Sequence, residues 1–308
     1  MKILALILPI FATLHVSCQD NAVAPVVDPP EEEKKPRVLT TFYPIQYFAQ
    51  RIAQDAAEVI CPVPETADPI YWMPDASAIQ LYQNADLILI NGANFERWIE
   101  KVALPASKVV NTAQPLENDL LRYESAVLHK HGPEGEHSHE GIDGHTWIDP
   151  KNALIQADEI KAALGKRWPE HVSTFAAGYG GLAEDLGELD TRFQTFAASW
   201  ANRPLAASHP AYNYLAKRYG LKIINLDLDP ESVPDATVIE LIRRVATEHQ
   251  VAHLLWETQP TKDVEEVIRR AGMQNVLLAP CETNPATGDY LSAMRENLGR
   301  LEALLEKG

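Results

Sequence analysis

From Arg37 onward the chain alternates between two apolar rhythms. Short, nearly continuous apolar runs, of which 85–91 is the clearest, read as strands buried on both faces. Between them lie stretches with apolar residues every third or fourth position, such as Ile45, Phe48, Ala49 and Ile52, which read as helices with one buried face. The first part predicts strands at 37–42, 57–62, 85–91 and 108–111, and helices at 44–53, 75–84 and 95–102. The last part predicts strands at 204–207, 222–226, 253–256 and 276–278, and helices at 211–219, 236–249, 261–271 and 289–306. Helices at 150–164 and 169–200 separate the two parts. At about 1.5 Å per residue the second of these would run some 45 Å, although Gly178, Gly180, Gly181 and Gly187 weaken the expectation of continuity. Strands alternating with helices give an α/β class with two lobes joined by a long helix. The boundaries are 37–150, 151–202 and 203–308.

Neither rhythm holds before Arg37. Lys2 precedes an apolar run at 3–14 that is too short to cross a bilayer. Leu14-His15-Val16-Ser17-Cys18 follows and resembles a bacterial lipobox, with His15 where leucine is usual. Residues 1–18 are therefore read as a signal segment, with Cys18 the candidate lipidated residue or, failing that, plain secretion. Residues 19–36 are rich in proline and charge and read as a tether. The expected location is the periplasm or the cell surface, with membrane contact only through a lipid anchor on Cys18.

A formal charge of -16 argues against nucleic acid as a partner. Cys61 and Cys281 are too few and too far apart for a disulfide framework and read first as buried thiols. No H-E-x-x-H pattern is present, and no enzyme is expected.

Histidine carries the candidate chemistry. His145 lies in His145-Thr146-Trp147-Ile148-Asp149-Pro150, and His209 in Ser208-His209-Pro210-Ala211-Tyr212 at the end of a predicted strand. Ligands in open α/β sheets bind beyond the carboxyl ends of strands, and neutral imidazole is a common zinc donor. From position alone, either residue is a metal ligand or a satisfied structural histidine. The segment 129–144 holds His129, His131, His137 and His139 with Glu134, Glu136 and Glu140. It reads as a mobile surface loop that either holds metal loosely or is merely hydrated.

Longer segments carry a resemblance. Thr40-Thr41-Phe42-Tyr43-Pro44, the run 84–92, Phe95-Glu96-Arg97-Trp98, the run 145–153, the run 208–221 and Asp289-Tyr290-Leu291 are similar, in order, to the substrate-binding proteins of ABC transporters for zinc and manganese, the ZnuA-like branch of the cluster A-I family. The resemblance covers roughly 37–305. It implies two Rossmann-like lobes, a rigid helix between them, a metal cleft between the lobes, and delivery of the cation to an ABC permease by a chain expected to be monomeric. Zinc is the expected cargo, ahead of manganese or copper, with His145 and His209 as the metal residues. A His-rich loop before the second ligand is typical of the zinc members.

Two family positions depart from the pattern. Asp68-Pro69 is followed by Ile70 where the family has a ligand histidine, and Ala279 stands where an aspartate is common. Tyr71, Asp68, Asp75, Cys61, Cys281 and Glu282 are near enough in sequence to compensate. Glu257 matches a family glutamate and is expected to orient a ligand rather than bind the ion. Trp72 and Met73 either wall the pocket or simply pack. The alternative reading is a family member that has lost tight metal binding and serves as a binding or scaffold lipoprotein.

Overall fold

The apolar runs do pair as two all-parallel sheets. The structure is a computed structural model of the chain, describing residues 35–123, 127–130, 136–139 and 141–306. The signal segment, Cys18, most of the tether and His131 lie outside the described residues. The first lobe contains β1 (Arg37–Thr40), α1 (Tyr43–Ala53), β2 (Glu58–Ile60), α2 (Ala76–Gln83), β3 (Leu87–Ile90) and β4 (Val109–Asn111). Its strands lie in the order β2-β1-β3-β4. Two further strands, β5 (Val127–Lys130) and β6 (Glu136–His139), pair antiparallel with His129 opposite His137. The His-rich segment, read as a mobile surface loop, thus includes a two-stranded ribbon.

Two helices follow, α3 (Pro150–Arg167) and α4 (Val172–Trp200). The second lobe then contributes β7 (Leu205–Ala207), α5 (Asn213–Tyr219), β8 (Ile223–Asn225), α6 (Ala236–Glu248), β9 (His253–Trp256), α7 (Lys262–Arg270), β10 (Gln274–Leu277) and α8 (Tyr290–Leu305). Its sheet runs β10-β9-β7-β8. Counted from each lobe's first strand, both sheets have the same order, 2-1-3-4. In each, the connection reverses direction between the first and third strands.

Helix α4 is unbroken over 29 residues, about 44 Å at the usual rise. Phe175, Gly178, Leu182, Leu186, Leu189, Phe193, Phe196 and Trp200 form its buried stripe. Gly178 is where α1 crosses it: a Cβ there would stand 2.5 Å from the Arg51 carbonyl oxygen and 2.6 Å from that of Ile52. The other three glycines tolerate the helix because they lie on its outer side or at its edge, where a Cβ would meet nothing within 3.4 Å.

The helix expected at 95–102 does not form; only a 3₁₀ turn at Ile99–Lys101 appears. Ala93 and Asn94 take left-handed backbone angles just before it. Glu96 is turned inward, where it accepts from the Thr41 hydroxyl and from the backbone N–H groups of Asn91 and Gly92. Trp98 is fully buried against Tyr82, with ring centres 5.0 Å apart. Tertiary contacts on opposite sides of the segment outweigh its helical spacing.

One apolar core runs through both lobes, from Phe48 and Trp147 to Leu255 and Leu298. Polar stitches follow it. Trp147 Nε1 donates to the Pro280 carbonyl at 2.8 Å, and the Tyr290 hydroxyl donates to the Trp147 carbonyl at 2.7 Å. Tyr47 donates to Asp289 at 3.1 Å, and Asp185 is held between Arg51 (2.7 Å) and Arg295 (2.8 Å).

Candidate metal centre

His145 sits at the exit of the ribbon, and β3 fixes it there. Asn91, just past β3, donates to the Gly144 carbonyl at 3.0 Å and accepts from Thr146 (3.2 Å) and Gln156 (2.9 Å). Gly92 follows at φ +79°, where a Cβ would fall 1.8 Å from Asn111 Oδ1, so only glycine fits. Asp143 supplies the second constraint. It is fully buried, and its carboxylate accepts from the His145 backbone (3.0 Å), Tyr123 (3.1 Å) and Asn213 (3.0 Å). His145 Nδ1 lies 2.8 Å from the same carboxylate. An Nδ1–H donated to Asp143 leaves Nε2 as the atom that faces the cleft.

His209 hangs from the second lobe at the reversal point between β7 and β9, two residues past β7. Glu257, the residue after β9, approaches it, with Oε2 3.8 Å from His209 Nε2. Past β10, Cys281 adopts φ +64°, an unusual angle for a side-chain-bearing residue. The chain turns there and points Glu282 at the first lobe, with Oε1 3.1 Å from His145 Nε2. The His145 and His209 rings are 5.7 Å apart between centres and inclined at 77°.

These spacings can be measured against a metal site. Two donors on a tetrahedral zinc stand about 3.3 Å apart, and two imidazoles bound through Nε2 have ring centres about 5 Å apart. The His145–Glu282 contact and the His145–His209 spacing both lie within a few tenths of an ångström to one ångström of those values. The donors are gathered but not closed: among the described residues, no three His, Cys, Asp or Glu side chains yet stand at metal-bonding geometry.

Protons compete for the same atoms. Burial pulls the His145 imidazole down, but Asp143 and then Glu282 overcome it and hold the pKa at about 10. Glu257 is pushed up to about 8 by burial and by the Glu282 carboxylate, against the pull of His145. The proton that His145 holds competes for the Nε2 atom that faces Glu282, where a cation would stand.

The remaining sequence candidates separate cleanly. Ile70, Tyr71 and Asp68 line a cavity of about 450 Å³ between the lobes, together with His209, Glu257, Cys281 and Glu282. Asp68 turns the chain there by accepting from the Ile70 backbone at 2.9 Å. Burial, followed by the Asp289 and Glu282 charges, pushes the Cys281 thiol up to about 12, so it is not a ready thiolate donor. Cys61 lines a smaller adjoining cavity of about 180 Å³, its thiol also raised by burial. Asp75 caps α2 by accepting from Ala78 at 2.8 Å. Trp72 packs edge-on against Trp98, and Met73 is half exposed rather than a pocket wall. The Ala279 backbone is clamped by the Asn297 side chain from α8. Sequence reasoning missed Asp143 and Tyr123. The signal for Asp143 was its place two residues before a candidate ligand; Tyr123 carried none.

Comparison with known proteins shows what the chain resembles as a whole. The family model described as zinc-uptake complex component A, periplasmic, matches residues 38–304. The zinc-binding lipoprotein AdcA of Streptococcus pneumoniae strain R6 is 27% identical over 98% of this chain and 60% of its own length. The chain therefore spans about three fifths of that relative. The high-affinity zinc uptake system protein ZnuA of Bacillus subtilis strain 168 is 30% identical, with 89% of each chain covered. Among solved structures, the metal-dependent lipoprotein YcdH of Bacillus subtilis superposes with a TM-score of 0.76 at 26% identity, covering 88% of this chain and 98% of that one. The Zn(II)-bound ZnuA-like domain of Streptococcus pneumoniae AdcA gives 0.75 at 25% identity, covering 89% and 98%. With the family model running through both lobes and the helices between them, this chain belongs to the family of the periplasmic zinc-uptake complex component A.

Proposed function

We propose that this chain captures a zinc ion between its lobes with His145, His209 and Glu282 and hands it to an ABC permease in the membrane. The observation that carries the reading is the convergence of His145 Nε2 from one lobe on Glu282 Oε1 from the other at 3.1 Å, beside the His209 ring. Two imidazoles and one carboxylate are a donor set that suits zinc. Manganese favours oxygen-rich, higher-coordinate cages, and copper(I) favours thiolate, which Cys281 does not readily supply. Glu257 stands 3.8 Å from His209 Nε2 and lines the same cavity, where it would orient His209. The chemistry is capture and release, with no bond made or broken in a substrate. A lipid anchor on Cys18 would hold the body near its permease while it acts as a monomer, and the β5–β6 ribbon is the place where loosely held metal would gather.

Calorimetric titration of the metal-stripped chain with zinc, manganese and copper tests the reading. Zinc should bind tightest, and the double variant His145→Ala, His209→Ala should lose it. Zinc binding no tighter than about 10 μM, unchanged in the double variant, overturns it. That outcome would favour the reading of a scaffold lipoprotein, to which Ile70 in the cleft wall already lends some support.

A further inference from the structure

The two lobes repeat one another beside the cleft. In each, the connection from the second strand to the next helix lines the cavity, through Asp68, Ile70 and Tyr71 between β2 and α2 and through Asp229, Pro230 and Glu231 between β8 and α6. Each connection ends on the same pattern, Pro74-Asp75-Ala76-Ser77 in one lobe and Pro234-Asp235-Ala236-Thr237 in the other. The two aspartates cap their helices alike. Asp75, at φ -74° and ψ 176°, accepts from the Ala78 N–H, and Asp235, at φ -71° and ψ 173°, accepts from the Val238 N–H. The residue before each proline is apolar and turned outward: Met73 is 51% exposed and Val233 52%. Among the described residues four large apolar side chains are exposed, and these two are the most exposed of them. One such residue standing alone is ordinary. Here a pair occupies the same place in a repeated unit, each just beyond a residue that lines the cavity.

We infer that Met73 and Val233 are two matched prongs on which this chain seats on its membrane permease, and that the permease offers two equivalent apolar sockets, one to each lobe. The inference rests on the proposed delivery of the ion to a permease, and adds how the two are held together. Whatever receives the ion must cover the cavity that these connections line. A receiver built as a two-fold dimer presents every feature twice, which suits a surface that is itself repeated. Methionine is also enriched at protein contacts. Glu65, Asp229 and Glu231 line the same cavity, and no lysine or arginine does so among the described residues, so the facing surface should be basic beside its sockets. The bond from Trp147 to Pro280 and the Asp185 bridge tie the lobes behind the cleft and keep the prongs at one spacing.

The test follows zinc uptake into proteoliposomes that hold the chain's own ABC permease, as the concentration of added full chain is raised. The natural chain is compared with Met73→Glu, Val233→Glu, the double variant, and Val172→Glu, which changes a residue 49% exposed at the start of α4. Calorimetry should give all five the same zinc affinity. Either prong variant should raise the chain concentration needed for half-maximal uptake by about tenfold, and the double variant by about a hundredfold, because a carboxylate would enter an apolar socket. Val172→Glu should change nothing. If the double variant delivers zinc like the natural chain, the inference fails and the delivery reading stands. It fails equally if only one prong matters, or if Val172→Glu is as harmful. It fails too if sedimentation shows that the natural chain pairs with itself and the double variant does not. If the natural chain binds no zinc or drives no uptake, the delivery reading fails with it. Where a glutamate variant loses zinc affinity, and so its fold, Met73→Gln and Val233→Thr replace it; they should show a smaller loss of the same kind, and no loss in either overturns the inference.

Discussion

His145, the proposed metal donor, is held in place by its neighbours. Asp143 holds Nδ1 and the backbone of His145, and Tyr123 and Asn213 hold Asp143 in turn. Removing the charge in Asp143→Asn should weaken zinc binding by roughly tenfold to a hundredfold, the usual effect of losing a group that orients a ligand. Calorimetry should show this loss shrinking at lower pH, because the variant's His145 also holds its competing proton less tightly. In the unaltered chain, zinc must displace the proton that His145 keeps up to about pH 10, and below about pH 8 it also favours loss of the proton on Glu257. Apparent affinity should therefore rise with pH, with between one and two protons released per ion at pH 7, measurable in buffers of different ionisation enthalpy. Stability of the metal-free chain should run the other way. Both groups bind protons more tightly folded than unfolded. Their contribution is fully present below the unfolded pKa values, near 6.5 and 4.5, and is lost as pH rises through about 10 for His145 and about 8 for Glu257. At this scale the sequence was half legible. His145 and His209 stood out as residues at element ends, whereas the reach of Glu282 depends on the left-handed turn at Cys281, and no periodicity records a backbone angle.

Among the elements, α4 carries the clearest lesson. Its apolar stripe was readable at three- and four-residue spacing, and four glycines argued against one helix. The structure resolves the conflict through Gly178, whose missing side chain lets the end of α1 press its carbonyls against the helix. Gly178→Ala should destabilise the fold by about 1–3 kcal/mol, the usual cost of overpacking, seen as a lowered thermal midpoint. Gly180→Ala, which would meet open space, should be neutral or slightly stabilising. The missing helix at 95–102 is the converse case. Its pattern is helical, but Glu96 and Trp98 are both required in the interior of the first lobe, and a burial demand of that kind arises only once distant strands have assembled.

For the molecule as a whole, strand number, direction and the division into two lobes followed from the alternation of rhythms. The order 2-1-3-4 in each sheet did not, since pairing is a long-range property. The rear of the cleft is closely tied. Trp147 binds Pro280, Tyr290 binds Trp147, and Asp185 bridges Arg51 and Arg295. Zinc binding should therefore leave the lobes nearly as they are and act mainly on loops. Small-angle scattering with and without zinc should show a radius of gyration unchanged to within about 1 Å, in keeping with the small backbone shifts of pre-organised complexes. A larger contraction would mean that the rear stitches yield. Every second-lobe group proposed to meet the cargo stands on a loop beyond a strand, while the sheets themselves contribute none. Cargo preference can thus be rewritten by exchanging a few loop residues with the layered scaffold left intact, so that neighbouring lineages could share one body while carrying different ions.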